Sequence, residues 1–234
     1  MATKENIIYA LDVDSLARAT PYIEALSQHV GMFKVGLELI TSQGAPSVIN
    51  YIHRLGGQIF FDGKFDDIPN TVGAASRAVS SLGVKMFNVH ASCGLDSIKA
   101  AADNKGSSLL LVVTVLTSIS ETESTQIFGA PAHEKVIQFA QNAREAGADG
   151  IVCSPQELEL LTQLSDLKNL LKVTPGIRPS WAEANDQKRI LTPAQAMNLG
   201  ATHLVIGRPI TNPPRGIGTP VDAAKKILEE ILNC

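Results

Sequence analysis

The sequence predicts an α/β protein, a single (β/α)8 TIM barrel spanning residues 1–234. Three observations carry that expectation. Short apolar, β-rich runs alternate with segments of helical spacing from end to end; eight such pairs occur; and no linker-like or low-complexity stretch divides them. Continuous apolar strands joined by helical crossovers pair in parallel with both faces covered, and eight βα units fit a chain of this length when the sheet closes on itself. An open doubly wound sheet is the competing arrangement.

The units follow in order. Strand one is expected at "NIIYALDV" (6–13) with a helix over 15–29, strand two at "MFKVGLEL" (32–39) with a helix over 42–55, and strand three at "QIFFDGK" (58–64) with a helix over 70–82. Strand four is "KMFNVHA" (85–91) with a helix over 95–104, and strand five is "SLLLVVTVLT" (108–117) with a helix over 133–146. Strands six to eight are "GIVCS" (150–154), "LKVTPGI" (171–177) and "HLVIGRPI" (203–210), with helices over 155–164, 193–199 and 220–232. Ser154-Pro155 and Thr192-Pro193 place a capping hydroxyl before a first-turn proline, while Gly147 and Gly200 follow helices as stops. A loop-rich stretch, "TNPPRGIGTP" (211–220), leads into the last helix.

Composition narrows the function classes. With 44% hydrophobic and 18% charged residues the chain is an ordinary globular sequence, and a formal net charge of -3 offers no basic stripe to nucleic acid or to an anionic membrane. The three cysteines are odd in number and lack a CxxC pair, so neither a disulfide framework nor a structural zinc site is encoded. A polar N-terminus runs straight into the first strand without a signal-peptide pattern, and no apolar run has membrane-spanning length. The expected location is a reducing cytoplasm. The histidines His29, His53, His90, His133 and His203 show no paired ligand spacing.

In a barrel of this kind, function gathers where the strands end and the βα loops begin. The polar residues expected there are Asp12 after strand one, Lys34 in strand two, Asp62 and Lys64 in strand three, Thr117 after strand five, and Gly207 with Arg208 after strand eight. The densest group is "FFDGKFDDIPNT" (60–71), with Asp62, Lys64, Asp66 and Asp67 close together. Residues two apart on a strand share a face, so Asp62 and Lys64 project into the same space. Opposite charges about 4 Å apart attract by roughly 4 kcal/mol at an effective dielectric of 20, which favours the ammonium form of Lys64. An ammonium cannot capture a carbonyl as a Schiff base, but it can stabilise a developing carbanion and then protonate it. The same stretch could instead be a salt-bridged rim that only anchors the barrel. A cation held by Asp12, Glu38, Asp62 and His90 is a further possibility, although the embedded ammonium already supplies positive charge there.

A second group lies near the end of the chain. "TPGIRPS" (174–180) closes strand seven, the polar "WAEANDQKR" (181–189) follows, and "VIGRPI" (205–210) closes strand eight. Barrels often hold a phosphate between the loops after strands seven and eight. Gly207 lets backbone N–H groups approach an anion, Arg208 adds a planar charged fork, and Arg178 and Gln187 border the same region. No GxGxxG after a strand, no GxxxxGK[ST] and no HExxH is present, which leaves dinucleotide, P-loop and zincin readings without support.

These segments, taken together and in order, resemble the orotidine 5'-phosphate decarboxylase family in its bacterial short-chain form. The resemblance covers essentially the whole chain and rests on "ALDV", "FKVGLEL", the D-x-K-x-x-D-I-P-N-T run from Asp62 to Thr71, "VTVLTS", "TPGIRP" with "DQKRI", and "VIGRPI". It implies decarboxylation of orotidine 5'-phosphate to uridine 5'-phosphate in pyrimidine biosynthesis, with no metal or other cofactor. Lys64 is then the proton donor, and Asp62, Lys34 and Asp67 complete a charged array around it. Asp12 is expected at the ribose, Thr117 at the pyrimidine, and Arg178, Gln187, Gly207 and Arg208 at the phosphate or its closing loop. The resemblance further implies a homodimer in which Asp67 and Thr71 enter the neighbouring subunit's site. Gly63 stands where that family commonly has a larger aliphatic residue, and Asp66 where it often has a less acidic one; Gly63 is expected to alter only packing and Asp66 to face solvent. Trp181 matches no family position and is read as a packing or loop residue. The competing readings are a related barrel acting on a sugar phosphate with a divalent ion, and a barrel that binds a phosphorylated ligand without chemistry.

Overall fold

The computed structural model describes residues 2–182 and 191–233. Its strands are β1 (Ile7–Ala10), β2 (Met32–Val35), β3 (Ile59–Phe65), β4 (Met86–His90), β5 (Leu109–Val113), β6 (Gly150–Val152), β7 (Leu171–Thr174) and β8 (His203–Ile206), all in parallel and closed into a barrel in chain order. The closed ring decides against the open sheet. Around it lie α1 (Leu16–Leu26), α2 (Leu37–Gln43), α3 (Ala45–Arg54), α4 (Pro69–Ser81), α5 (Leu95–Asp103), α6 (Glu121–Phe128), α7 (Ala132–Glu145), α8 (Leu158–Gln163), α9 (Pro193–Asn198), α10 (Arg208–Thr211) and α11 (Pro220–Leu232). Among the described residues, no helix is long and apolar enough to cross a membrane.

The pleat sorts side chains into two cores. Ile8, Ala10, Met32, Phe60, Met86, Leu111, Val173 and Val205 fill the barrel interior, while their neighbours Ile7, Tyr9, Phe33, Ile59, Phe61, Phe87, Leu110 and Leu204 face the helices. The register sets Ala10 beside Lys34, and Lys34 beside Phe60. Continuing the inward parity along β2, β3 and β4 therefore reaches Lys34, Asp62 and Asn88 just above the apolar layer.

The expected caps form. Ser154 and Thr192 each accept a backbone N–H of the turn they open, and Gly147 and Gly200 take positive φ after α7 and α9. Strand lengths differ from expectation. β1 ends at Ala10 rather than Val13: the Leu11 N–H still donates to Lys34 O of β2, but the Val13 N–H turns back to Leu11 O, and both side chains are buried by the surrounding packing. β2 stops at Val35, so Glu38 belongs to α2, and Gly44 at φ 78 separates α2 from α3 where one helix was expected. β5 stops at Val113, leaving Thr117 in the loop beyond, and β8 stops at Ile206, so Gly207 and Arg208 open the short α10. Helix α6 was not anticipated; Ser120 caps it in a box with Glu123.

Candidate active site

β3 does not run straight into the site. Phe61 pairs with Phe87 but Phe65 pairs with Val89, so β3 carries a bulge between them, and within it Lys64 takes φ 50. A side chain at positive φ is strained by about 1–2 kcal/mol. Lys64 is the non-glycine residue in that conformation among the described residues. The bulge turns its ammonium toward Asp62, placing Nζ 2.6 Å from Oδ1.

From there the charges alternate. Asp62 Oδ2 lies 3.4 Å from Lys34 Nζ, which is also 3.0 Å from Asp12 Oδ1. Asp62 is buried; burial pushes its pKa up, but Lys34 and Lys64 outweigh it and hold the carboxyl below its ordinary value of 3.8. For Lys34, burial pushes down, while Asp62 and Asp12 outweigh it and hold the amine above 10.5. At the outer end the Asp12 side chain is 62% exposed, open to a ligand.

This row forms one wall of a cavity of about 190 Å3 at the C-terminal mouth of the barrel. Lys34, Asp62, Lys64 and Asn88 supply its polar side; Phe60, Val113, Val152 and Val205 its apolar floor; Thr117 and Pro175 its rim. Thr117 therefore reaches the site from a loop rather than from the end of a strand. Asn88 was missed in the sequence, although its parity with Met86 on a strand of interior-facing residues marks it as a polar group aimed inward.

The other site candidates follow β7 and β8 in the chain. Gly207 stands at the junction of β8 and α10, where a Cβ would lie 3.3 Å from that of Ala10 and 3.8 Å from Asp12 Oδ2. Arg208 is exposed at the start of α10. Arg178 is buried, its Nη1 donates to Ile177 O, and its backbone N–H donates to Leu191 O at the base of the loop after β7. Gln187 lies outside the described residues. Trp181 is half-buried against the outer core, as a packing residue would be.

Asp67 and Thr71 are not brought to Lys64 within one chain. Asp67 is exposed and its carboxylate accepts the N–H of Ile68, while Thr71 is exposed in the first turn of α4. Asp66 is exposed as expected and accepts a hydrogen bond from Ser92. Gly63 faces away from the charge row: a Cβ there would lie 2.3 Å from Phe61 Cε1. Among the described residues no group of three or more His, Cys, Asp or Glu converges as a metal site needs; Glu38 rides in α2, and Asp12 and Asp62 engage Lys34.

A closed parallel barrel with a row of alternating charges at its C-terminal mouth defines a (β/α)8-barrel enzyme. Comparison with known proteins agrees and goes further. The chain belongs to the Orotidine 5'-phosphate decarboxylase / HUMPS family, whose model matches residues 5–227. It is 44% identical over 243 residues to an orotidine 5'-phosphate decarboxylase of Syntrophomonas wolfei, covering 99% of each chain. A relative of the same name from Geobacter sulfurreducens is 43% identical, with 98% of this chain and 97% of that one covered. The crystal structure of orotidine 5'-phosphate decarboxylase from Lactobacillus acidophilus superposes with a TM-score of 0.82 at 35% identity, covering 96% of this chain and 98% of that one.

Proposed function

We propose that this chain, acting as a single-domain protein in a cytoplasmic homodimer, decarboxylates orotidine 5'-phosphate to uridine 5'-phosphate without metal or cofactor. The observation that carries the reading is the Lys64 ammonium, pinned at 2.6 Å on Asp62 and facing a small cavity with an apolar floor.

The chemistry follows from that placement. The bond from C6 of the pyrimidine to its carboxylate breaks, CO2 leaves, and the electron pair stays on C6 in an orbital without a conjugated sink. Fixed positive charge beside C6 stabilises that pair as it develops, and Lys64 Nζ–H then delivers the proton. Lys34 keeps Asp62 anionic and oriented, so Lys64 is held at one position rather than sampling the cavity. Asp12 takes the ribose and Thr117 the pyrimidine. Arg178, Gln187, Gly207 and Arg208 take the phosphate or the loop that closes over it, and the binding energy of the phosphate aligns the ring.

Asp67 and Thr71 serve the partner's site in this reading. Support comes from their exposed position outside the cavity and from the apolar side chains of Ile68, just before α4, and Leu37, at the start of α2, which are 66% and 56% exposed. Mixing Lys64→Ala chains with Asp67→Ala chains tests the sharing. Each variant is inactive alone, and the hybrid dimer regains one intact site.

The direct experiment mixes purified protein with orotidine 5'-phosphate and a chelator and follows loss of substrate absorbance. Turnover unaffected by chelation is the expected result. Turnover of a sugar phosphate that needs a divalent ion would favour the related barrel enzymes, and tight binding without release of CO2 would favour a binding protein.

A further inference from the structure

The buried polar side chain nearest the charge row has no part in the chemistry above. Asn88 is 1% exposed on β4 and makes two hydrogen bonds. Its Oδ1 accepts the backbone N–H of Lys64 at 2.8 Å, and its Nδ2 donates to Asp62 Oδ1 at 2.7 Å, the same oxygen that holds Lys64 Nζ. A ring thus closes from the Lys64 backbone through Asn88 and Asp62 to the Lys64 ammonium. The partners fix which way the amide lies, since a backbone N–H requires an acceptor and a carboxylate requires a donor.

We propose that Asn88 is a positioning residue for this site, acting through Lys64 and Asp62 rather than on the ligand. The β3 bulge carries Lys64 into positive φ, and such a conformation persists only where its surroundings impose it. Asn88 imposes it at both ends, at the backbone from which the lysine springs and at the carboxylate toward which it points. Few side chains of this length offer one acceptor and one donor at once. A leucine fills similar space and offers neither. An ionised aspartate supplies the acceptor but sets a second negative charge against Asp62, whereas a protonated aspartate carries both functions again.

This inference rests on the decarboxylase reading for its kinetic test, and a structural measurement keeps the two separable. Asn88→Leu should bind uridine 5'-phosphate within about threefold of the parent protein while kcat falls by about 100-fold, the scale of a misplaced reacting group. Exchange of the C6 hydrogen of uridine 5'-phosphate with deuterated water should fall by a similar factor. Asn88→Asp, the second variant should Asn88→Leu fail to fold, should regain kcat as pH falls toward 5, on a profile the parent lacks. A kcat within about fivefold of the parent, nucleotide affinity falling in step with kcat, or no acid recovery in Asn88→Asp would each overturn the proposal. If the parent itself does not turn over orotidine 5'-phosphate, the decarboxylase reading fails, and a crystal structure of either variant decides the inference. Lys64 Nζ displaced from Asp62 supports it; Lys64 unmoved overturns it.

Discussion

Lys34 and Lys64 hold opposite oxygens of the same carboxylate, Lys64 Nζ at 2.6 Å from Asp62 Oδ1 and Lys34 Nζ at 3.4 Å from Oδ2. The two are not equivalent. The Lys34 side chain is 14% exposed and lies between two aspartates, whereas that of Lys64 is 29% exposed and ends the row. An ammonium at the open end is free to meet the reacting atom, while one set between two carboxylates orients them as well as lining the cavity. The division of labour between the two lysines follows from that order.

Lys64→Ala should lower kcat by at least about 10³-fold, within the span of general acid catalysis, in a protein that remains folded and dimeric. Near-normal turnover would eliminate the mechanism. Stability separates the backbone effect from the charge. Lys64→Gly and Lys64→Ala both lack the ammonium and differ by one Cβ at φ 50, so the glycine variant should be more stable by about 1 kcal/mol in urea unfolding. Equal midpoints would mean that the backbone relaxes out of this conformation once the side chain is gone.

The same ion pairs give stability a signed dependence on pH. The Asp62 carboxyl is held below 3.8, so its contribution is present above that value and is lost as pH falls through the lowered one. Lys34 is held above 10.5, so its contribution is present below that value and is lost as pH rises through the raised one. Asp62→Asn leaves Lys34 buried with Asp12 alone opposite, and burial should then prevail. The lysine becomes a cost that is relieved on deprotonation. Relative to the parent, the stability of Asp62→Asn should therefore rise between pH 7 and 10, measured as the urea midpoint at several pH values. A midpoint that stays level or falls relative to the parent would refute this account.

Gly63 and Phe61 are coupled through space. A Cβ at Gly63 would lie 2.3 Å from Phe61 Cε1, and that ring is 5% exposed and packs against Phe65 with centroids 5.9 Å apart. Gly63→Ala should cost about 1–3 kcal/mol as an overpacked site. Combining it with Phe61→Leu should cost less than the two changes added together, because the smaller side chain clears the new methyl. Strict additivity in urea unfolding would show that the ring moves aside freely.

The barrel was legible because its strands are continuous apolar runs, and the Asp62–Lys64 pair because opposite charges stand two residues apart at a strand end, although the contact itself is made through the β3 bulge. Strand ends were less so. Leu11, Val13 and Val115 are as buried as strand residues, so composition cannot mark where pairing stops. The break at Gly44 was obscured by apolar spacing that runs on through it, whereas the Ser120–Glu123 box opening α6 stood in the sequence unused. The bulge that presents Lys64 was not legible, since it depends on how β3 registers against β4 and on Asn88 taking the displaced N–H. Asp67 and Thr71 were expected to serve a second subunit; in the single chain both are exposed, which the sequence pattern alone does not mark.

The phosphate assignment is tested at the junction after β8. Gly207 brings backbone close to Ala10, where an added Cβ would lie 3.3 Å from the alanine Cβ, and the next residue, Arg208, begins α10 and is exposed. A planar cation there can hold two phosphate oxygens at once, a geometry that a neutral side chain cannot replace. Arg208→Ala should therefore weaken uridine 5'-phosphate binding by about 2 kcal/mol or more, roughly 30-fold, while leaving uridine binding unchanged. Calorimetric titration of both ligands separates the outcomes. If both affinities fall together, Arg208 supports the loop rather than the phosphate; if neither falls, the anion binds elsewhere on the barrel rim.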